Sequence, residues 1–219
     1  MKLVYKTLMN RRDFCKTVTT ALIAWGLNPV LVFADNGNKI LNGEFFIDSK
    51  SASNGFTDLN DNIIETKSEK SIIKVKDDFY LVRPETKLKF ISNKLTEVIK
   101  GSVHAVFSKQ KDELKVKIPQ GTIGIRGTSI FVDLEPSKNR SYFCNCYGET
   151  VLYDNDGKLI KTIVSDGHKS GAFTDDGKFR PYFHNYLFNK YAKNHPRIFD
   201  DEMEKAGCIV KDSHCTLKS

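Results

Sequence analysis

The chain has 219 residues, 40% of them hydrophobic and 28% charged, the balance of an ordinary globular protein with room for a real core. Its formal charge is +7, but five of the 34 Lys and Arg and one of the 27 Asp and Glu fall in the first 34 residues, and subtracting them leaves 29 against 26. A balance that even gives no reason to invoke a nucleic-acid partner.

The first segment reads as an export signal. "MKLVYKTLMNRRDFCK" is a charged leader, and "TVTTALIAWGLNPVLVFA" is an uncharged run interrupted by Gly26, Asn28 and Pro29. Val32 and Ala34 place small residues at the −3 and −1 positions before Asp35, which predicts cleavage after Ala34. The order Asn10-Arg11-Arg12-Asp13-Phe14-Cys15-Lys16 resembles a bacterial twin-arginine signal, with Arg11 and Arg12 as the recognised pair and Cys15 where Leu is usual. The alternative is a general secretory signal or an uncleaved anchor. The expected address is the periplasm of a Gram-negative bacterium.

Residues 35–42, rich in Asn and Gly, read as a flexible leader. Beyond them the period is two. "SIIKVK" sets Ile73 and Val75 against Lys74 and Lys76, and "ELKVKI" sets Leu114, Val116 and Ile118 against Lys115 and Lys117. Breaks at "KDD", "RPET", "KQKD", "EPSKN" and "DNDG" recur between such runs, the rhythm of a sandwich, a barrel or an irregular solenoid. By the same alternation His104, between Val103 and Ala105, faces solvent.

"GTIGIRG" spaces Gly121, Gly124 and Gly127 by three, which is neither a dinucleotide fingerprint nor a P-loop. Its information is a change of phase: Ile123 and Ile125 face inward on odd numbers, Ile130, Val132 and Leu134 on even ones. That shift predicts a β-bulge near Arg126-Gly127. Arg126 is then expected inside, satisfied by backbone carbonyls, with a ligand contact as the alternative.

Four cysteines follow the signal: Cys144, Cys146, Cys208 and Cys215. Two residues apart on one strand face, Cys144 and Cys146 are about 6.5–7 Å apart at Cα, too far for a comfortable disulfide with each other. In an oxidising compartment they are expected to pair with Cys208 and Cys215. Two other readings stay open: thiol exchange at the C-x-C, and a Zn or Cu site of Cys144 and Cys146 completed by His168, His214 or Cys215. The tail changes pattern. "FHNYLFNKYAKN" carries Phe183, Leu187, Phe188 and Tyr191 at helical offsets, and "DDEMEKAG" opens on acids and closes on Gly207, so a short helical appendix is predicted.

Ile123-Gly-Ile-Arg-Gly-Thr128, the strand "SIFVDL", and Cys146-Tyr-Gly-Glu-Thr-Val-Leu-Tyr153 together resemble the FecR domain, whose signature sets arginine-glycine-threonine ahead of a strand and a G-x-V-x-V strand after it. Upstream, "FYLVRPETKLKF" and "EVIKGSVHAVF" are similar to that family's preceding segments, and "IVSDGHKSGAF" to its closing element. The likeness spans residues 43–173, and its structural motif falls on Gly124, Arg126, Gly127, Thr128 and Gly148. It implies a mainly β fold, here a single antiparallel or solenoid-like β-domain. Residues 1–34 are then the export signal and residues 174–219 a partly helical tail.

The resemblance also implies a role. FecR proteins pass a signal from an outer-membrane receptor to a cytoplasmic sigma factor through an N-terminal cytoplasmic segment. Only about ten residues precede Arg11 here, too few to fold a sigma-binding unit. The expected function is therefore a non-catalytic periplasmic binding, scaffolding or signal-sensing module. Its partner is an envelope protein or polysaccharide, and it meets the membrane only through an uncleaved signal. The alternatives are a metal- or thiol-active protein centred on the C-x-C and a signalling subunit of a sigma-factor system. Five histidines (His104, His168, His184, His195, His214) fall in none of the hydrolase or metalloprotease frames, so no catalytic residue and no cofactor beyond Zn or Cu is expected.

Overall fold

The computed structural model describes residues 38–52, 55–56, 58–109, 111–166 and 168–182, and the backbone of 208–211 and 214–217. The leader with Arg11, Arg12 and Ala34 lies outside these residues, as does the stretch expected to be helical between Phe183 and Gly207. Among the described residues no helix is long and apolar enough to cross a membrane.

Short alternating runs separated by turn residues become strands, in chain order. The first group is β1 (Asn38–Asn42), β2 (Phe45–Ile47), β3 (Lys50–Ala52), β4 (Gly55–Phe56) and β5 (Ile63–Glu65). Next come β6 (Ser71–Val75), β7 (Asp78–Val82), β8 (Lys87–Ser92), β9 (Leu95–Lys100) and β10 (Ser102–Val106). After them run β11 (Leu114–Ile118), β12 (Gly121–Ile125), β13 (Ser129–Glu135) and β14 (Arg140–Tyr153). The last are β15 (Leu159–Ser165), β16 (Lys169–Thr174) and β17 (Phe179–Tyr182), then the hairpin of β18 (Cys208–Lys211) and β19 (His214–Leu217). β1 occupies the segment expected to be a flexible leader. Asn38, Lys39, Ile40 and Asn42 pair with β6, and Ile40 enters the core, which is enough to order it.

The first seventeen strands form one hydrogen-bonded network with two ladders. One runs β4-β1-β6-β7-β10-β13-β14-β16-β17 and the other β3-β2-β5-β8-β9-β11-β12-β14-β15. We call them the first and second halves. The long strand β14 belongs to both: Arg140–Asn145 pairs with β16, and Gly148–Tyr153 pairs with β15. The sheet curls into a half-barrel. This corrects the expected fold, a solenoid-like domain with a helical appendix. A solenoid stacks successive repeats through parallel ladders, whereas here the ladders are antiparallel except for β9 with β11. The helical elements among the described residues reduce to one 3-10 turn, Pro136–Lys138, and the described end of the tail is a β-hairpin.

One core lies between the halves. Ile73, Val82, Val103, Ile130 and Phe143 come from the first, Leu88, Val116, Ile123, Ile125 and Leu152 from the second, all at or below 2% exposure. Tyr80 meets Phe90 and Phe107 edge-on at centroid distances of 5.1 and 5.5 Å, and Phe143 meets Phe173 and Phe179 at 6.2 and 6.1 Å. Such pairs add about 1 kcal/mol each beyond area burial. The inward sets read from the alternation, Ile73 with Val75 and Leu114 with Val116 and Ile118, are all in this core.

A second cluster lies on the other face of the first half: Ile72, Phe79, Leu81, Val106, Phe131, Tyr142, Cys144 and Cys146. Consequently β7 and β10 are buried along their whole length, on both faces.

Candidate functional site

The C-x-C sits where β14 passes from one half to the other. Ser129 pairs with Tyr147 and Ile130 with Asn145, so Cys146 is an extra residue in the ladder. Two steps on, Gly148 has φ +83°, and a Cβ there would stand 2.8 Å from the Gly127 carbonyl oxygen. The bulge is thus in β14, beside the cysteines. The phase change after Ile125 has a different cause from the bulge expected at Arg126-Gly127. Residues 126–128 carry the chain from β12 in the second half to β13 in the first, and each half sets its own inward parity.

Cys144 and Cys146 are buried and both are free thiols. This overturns the expected disulfides to Cys208 and Cys215, whose side chains lie outside the described residues. Burial among apolar neighbours accounts for the two thiols without a staple, since free cysteine packs as a small hydrophobe. His168 arrives from the turn before β16. It holds a left-handed φ of +46°, and its backbone N–H donates to the Cys146 carbonyl at 2.9 Å. That anchor brings ring Nδ1 to 3.6 Å from Cys144 Sγ. The donor atoms of Cys144, Cys146 and His168 all lie within 4.8 Å of one another.

His104 completes the surroundings. It stands on β10 opposite Phe131, and its Nε2 shares a 2.7 Å hydrogen bond with Ser129 Oγ. At 2% exposure it is not the solvent-facing residue that alternation suggests, because β10 is buried on both faces. The Cys146 thiol is pushed up to about 12, first by its hydrogen bond with Cys144 and then by burial, while His104 and His168 pull it down. The thiol is therefore neutral at neutral pH in the absence of a bound electrophile or metal.

The glycine-rich corner is a second, separate constellation. Arg126 is exposed, 58% at the side chain, and reaches Glu113 at 3.7 Å and Glu149 at 3.5 Å; it is not an interior arginine. The residue lies at the crossing between halves, where its long side chain can reach water. Gly127 has φ +80°, and a Cβ there would meet Lys109 Cα at 2.9 Å. At Gly124 a Cβ would press on the Glu113 carboxylate, which also accepts from Tyr153 Oη at 3.2 Å. Thr128 is fully buried, with its hydroxyl in reach of the Tyr147 carbonyl and 2.8 Å from Asn145 Oδ1.

Asn145 is the residue holding the corner together that sequence reading missed. Its Nδ2 donates to the carbonyls of Gly148 at 2.9 Å and Ile163 at 3.0 Å, so one buried amide ties the corner, the bulge and β15 together. An asparagine inside an apolar strand between two cysteines was the signal to follow, since a buried amide needs partners.

No family model matches the chain, and no curated protein matches it. Among solved structures, the fold is similar to a candidate anti-sigma factor from Parabacteroides distasonis ATCC 8503, with 12% identity and a TM-score of 0.48 over 58% of this chain and 62% of that one. A second structure of a candidate anti-sigma factor from that organism gives the same identity and TM-score over 66% and 73%. The match thus spans about 62% of the length of the first of these proteins.

Proposed function

We propose that this chain is an exported, non-catalytic module of FecR type that senses or scaffolds by binding a protein partner in the bacterial envelope. One observation carries the reading. Of the five residues that bear the resemblance, Gly124, Gly127, Thr128 and Gly148 are engaged in close approach to neighbouring atoms or in buried hydrogen bonds at the corner, and Arg126 is exposed beside them. Residues committed to holding two half-sheets together are framework, and a framework signature belongs to a module whose work is done by its surface. The sigma-factor circuit that the resemblance implies is the finer part of the proposal.

The test is genetic. Removing the protein is expected to change transcription of the genes under a single alternative sigma factor, and the wild-type chain is expected to restore it. A chain with Arg11→Lys and Arg12→Lys together is expected to stay in the cytoplasm and fail to restore. An unchanged transcriptome on removal sinks the signalling reading; full restoration by the double variant sinks the twin-arginine route.

A further inference from the structure

We infer that Cys144, Cys146 and His168 form a binding site for one thiophilic d10 cation, zinc(II) being the ion that its charge balance suits. This site is independent of the glycine-rich corner and of the signalling role. Three soft or borderline donors from two elements converge within 4.8 Å. The Cys144 Sγ to His168 Nδ1 separation is 3.6 Å. A centre with bonds of about 2.3 Å to sulfur and about 2.0–2.1 Å to nitrogen at a tetrahedral angle spans roughly 3.5 Å between those atoms. That edge of the polyhedron is already formed.

Two features of the backbone converge on the same spot. The bulge at Cys146 breaks the flat spacing of a C-x-C on a regular strand, which would otherwise set the two sulfurs side by side on one straight edge. His168 is held in a left-handed conformation by its bond to the Cys146 carbonyl, and a non-glycine residue kept there at a cost marks a position worth a functional hypothesis. Ile72, Phe79, Leu81 and Phe131 of the same cluster are apolar, and His104 and Tyr142 are the polar groups beside the thiols. Two thiolates and a neutral imidazole around a divalent ion sum to zero charge, which such a pocket accepts more readily than the net anion formed with copper(I). On binding, the two S–H bonds break, their protons pass to solvent, and two S–metal bonds form, with no change of oxidation state. His168 is half-buried and gives the ion its way in.

The experiment uses the full mature chain, reduced and stripped of metal, titrated with zinc(II) against a chromophoric chelator, with cobalt(II) as the spectroscopic substitute. One equivalent of zinc and a thiolate-to-cobalt charge-transfer band are expected. Cys144→Ser, Cys146→Ser and His168→Asn are each expected to weaken binding at least tenfold. His168→Asn keeps the test open if a cysteine variant fails to fold, because asparagine tolerates the left-handed conformation. No competition with the chelator overturns the site, and so does binding that none of the three variants weakens. Copper(I) bound by these residues with zinc excluded overturns the zinc assignment.

Discussion

The two halves of the sheet obey different rules of burial. In the second half β11 alternates strictly, with Leu114, Val116 and Ile118 in the core and Lys115 and Lys117 in water. In the first half β7 and β10 carry no exposed position at all. β14 runs through both: Ser141–Cys146 is buried throughout, Tyr147–Glu149 is half-buried, and Thr150–Leu152 is buried again. The lesson is that the second face of the first half is a protected environment. It is there that Cys144, Cys146, His104 and His168 collect.

The largest way to break this comparison is to charge that second face. Leu81→Lys places an ammonium where exposure is zero, and a loss of about 4 kcal/mol or more, or failure to fold, is expected in urea unfolding. Lys117→Ala on the outer face of the second half, which removes a surface pair with Glu97, is expected to stay within about 1 kcal/mol of wild type. Equal effects would show that the two halves are not distinct in this way.

Next in size is the joint between halves. Gly127→Val and Gly148→Val each force a β-branched residue into a positive φ against neighbouring backbone, and about 1–3 kcal/mol of destabilisation is expected in thermal or urea melts. A smaller loss than that of an exposed surface substitution would remove the corner as the organising element.

The comparison extends to buried carboxylates. Asp78, at the start of β7, accepts from Ser108 N and Oγ at 2.9 Å, yet burial raises its pKa to about 6. A carboxyl whose pKa is raised by folding contributes stability that is present below its unfolded value near 4 and lost as pH rises through 6. On the order of 2 kcal/mol should therefore disappear between pH 4 and pH 6.5, and Asp78→Asn should flatten that slope in pH-dependent unfolding. The exposed carboxyl of Asp112, held low by Lys94, acts with the opposite sign and at lower pH. A wild-type slope unchanged by Asp78→Asn would assign the effect elsewhere.

The smallest expected effect is at Arg126. Exposed and paired at 3.5 and 3.7 Å, it is expected to cost at most about 1 kcal/mol as Arg126→Gln, read by urea unfolding. Unfolding of that variant would restore an interior role for the arginine.

Strands and their inward parity are legible in the order of residues alone, because a period of two is a local property of the chain and survives any packing. Ile73 and Val75, then Leu114, Val116 and Ile118, and the shift of parity between Ile125 and Ile130 can all be read from the alternation, and each of these side chains lies in the core. The C-x-C and the residue types, not the alternation, offer Cys144, Cys146, His168 and Cys215 as a Zn or Cu set, as an alternative to disulfides. Long-range packing settles the rest: the parity shift is a crossing between half-sheets, the bulge belongs to β14, and Arg126 is outside while His104 is inside. Each of these depends on which strand lies across from which. Periodicity identifies two faces of a strand, but whether the second face meets water is fixed by what packs against it from distant sequence. For the same reason the cysteines could be counted along the chain, while their state as free thiols beside His168 depended on the curl of the sheet.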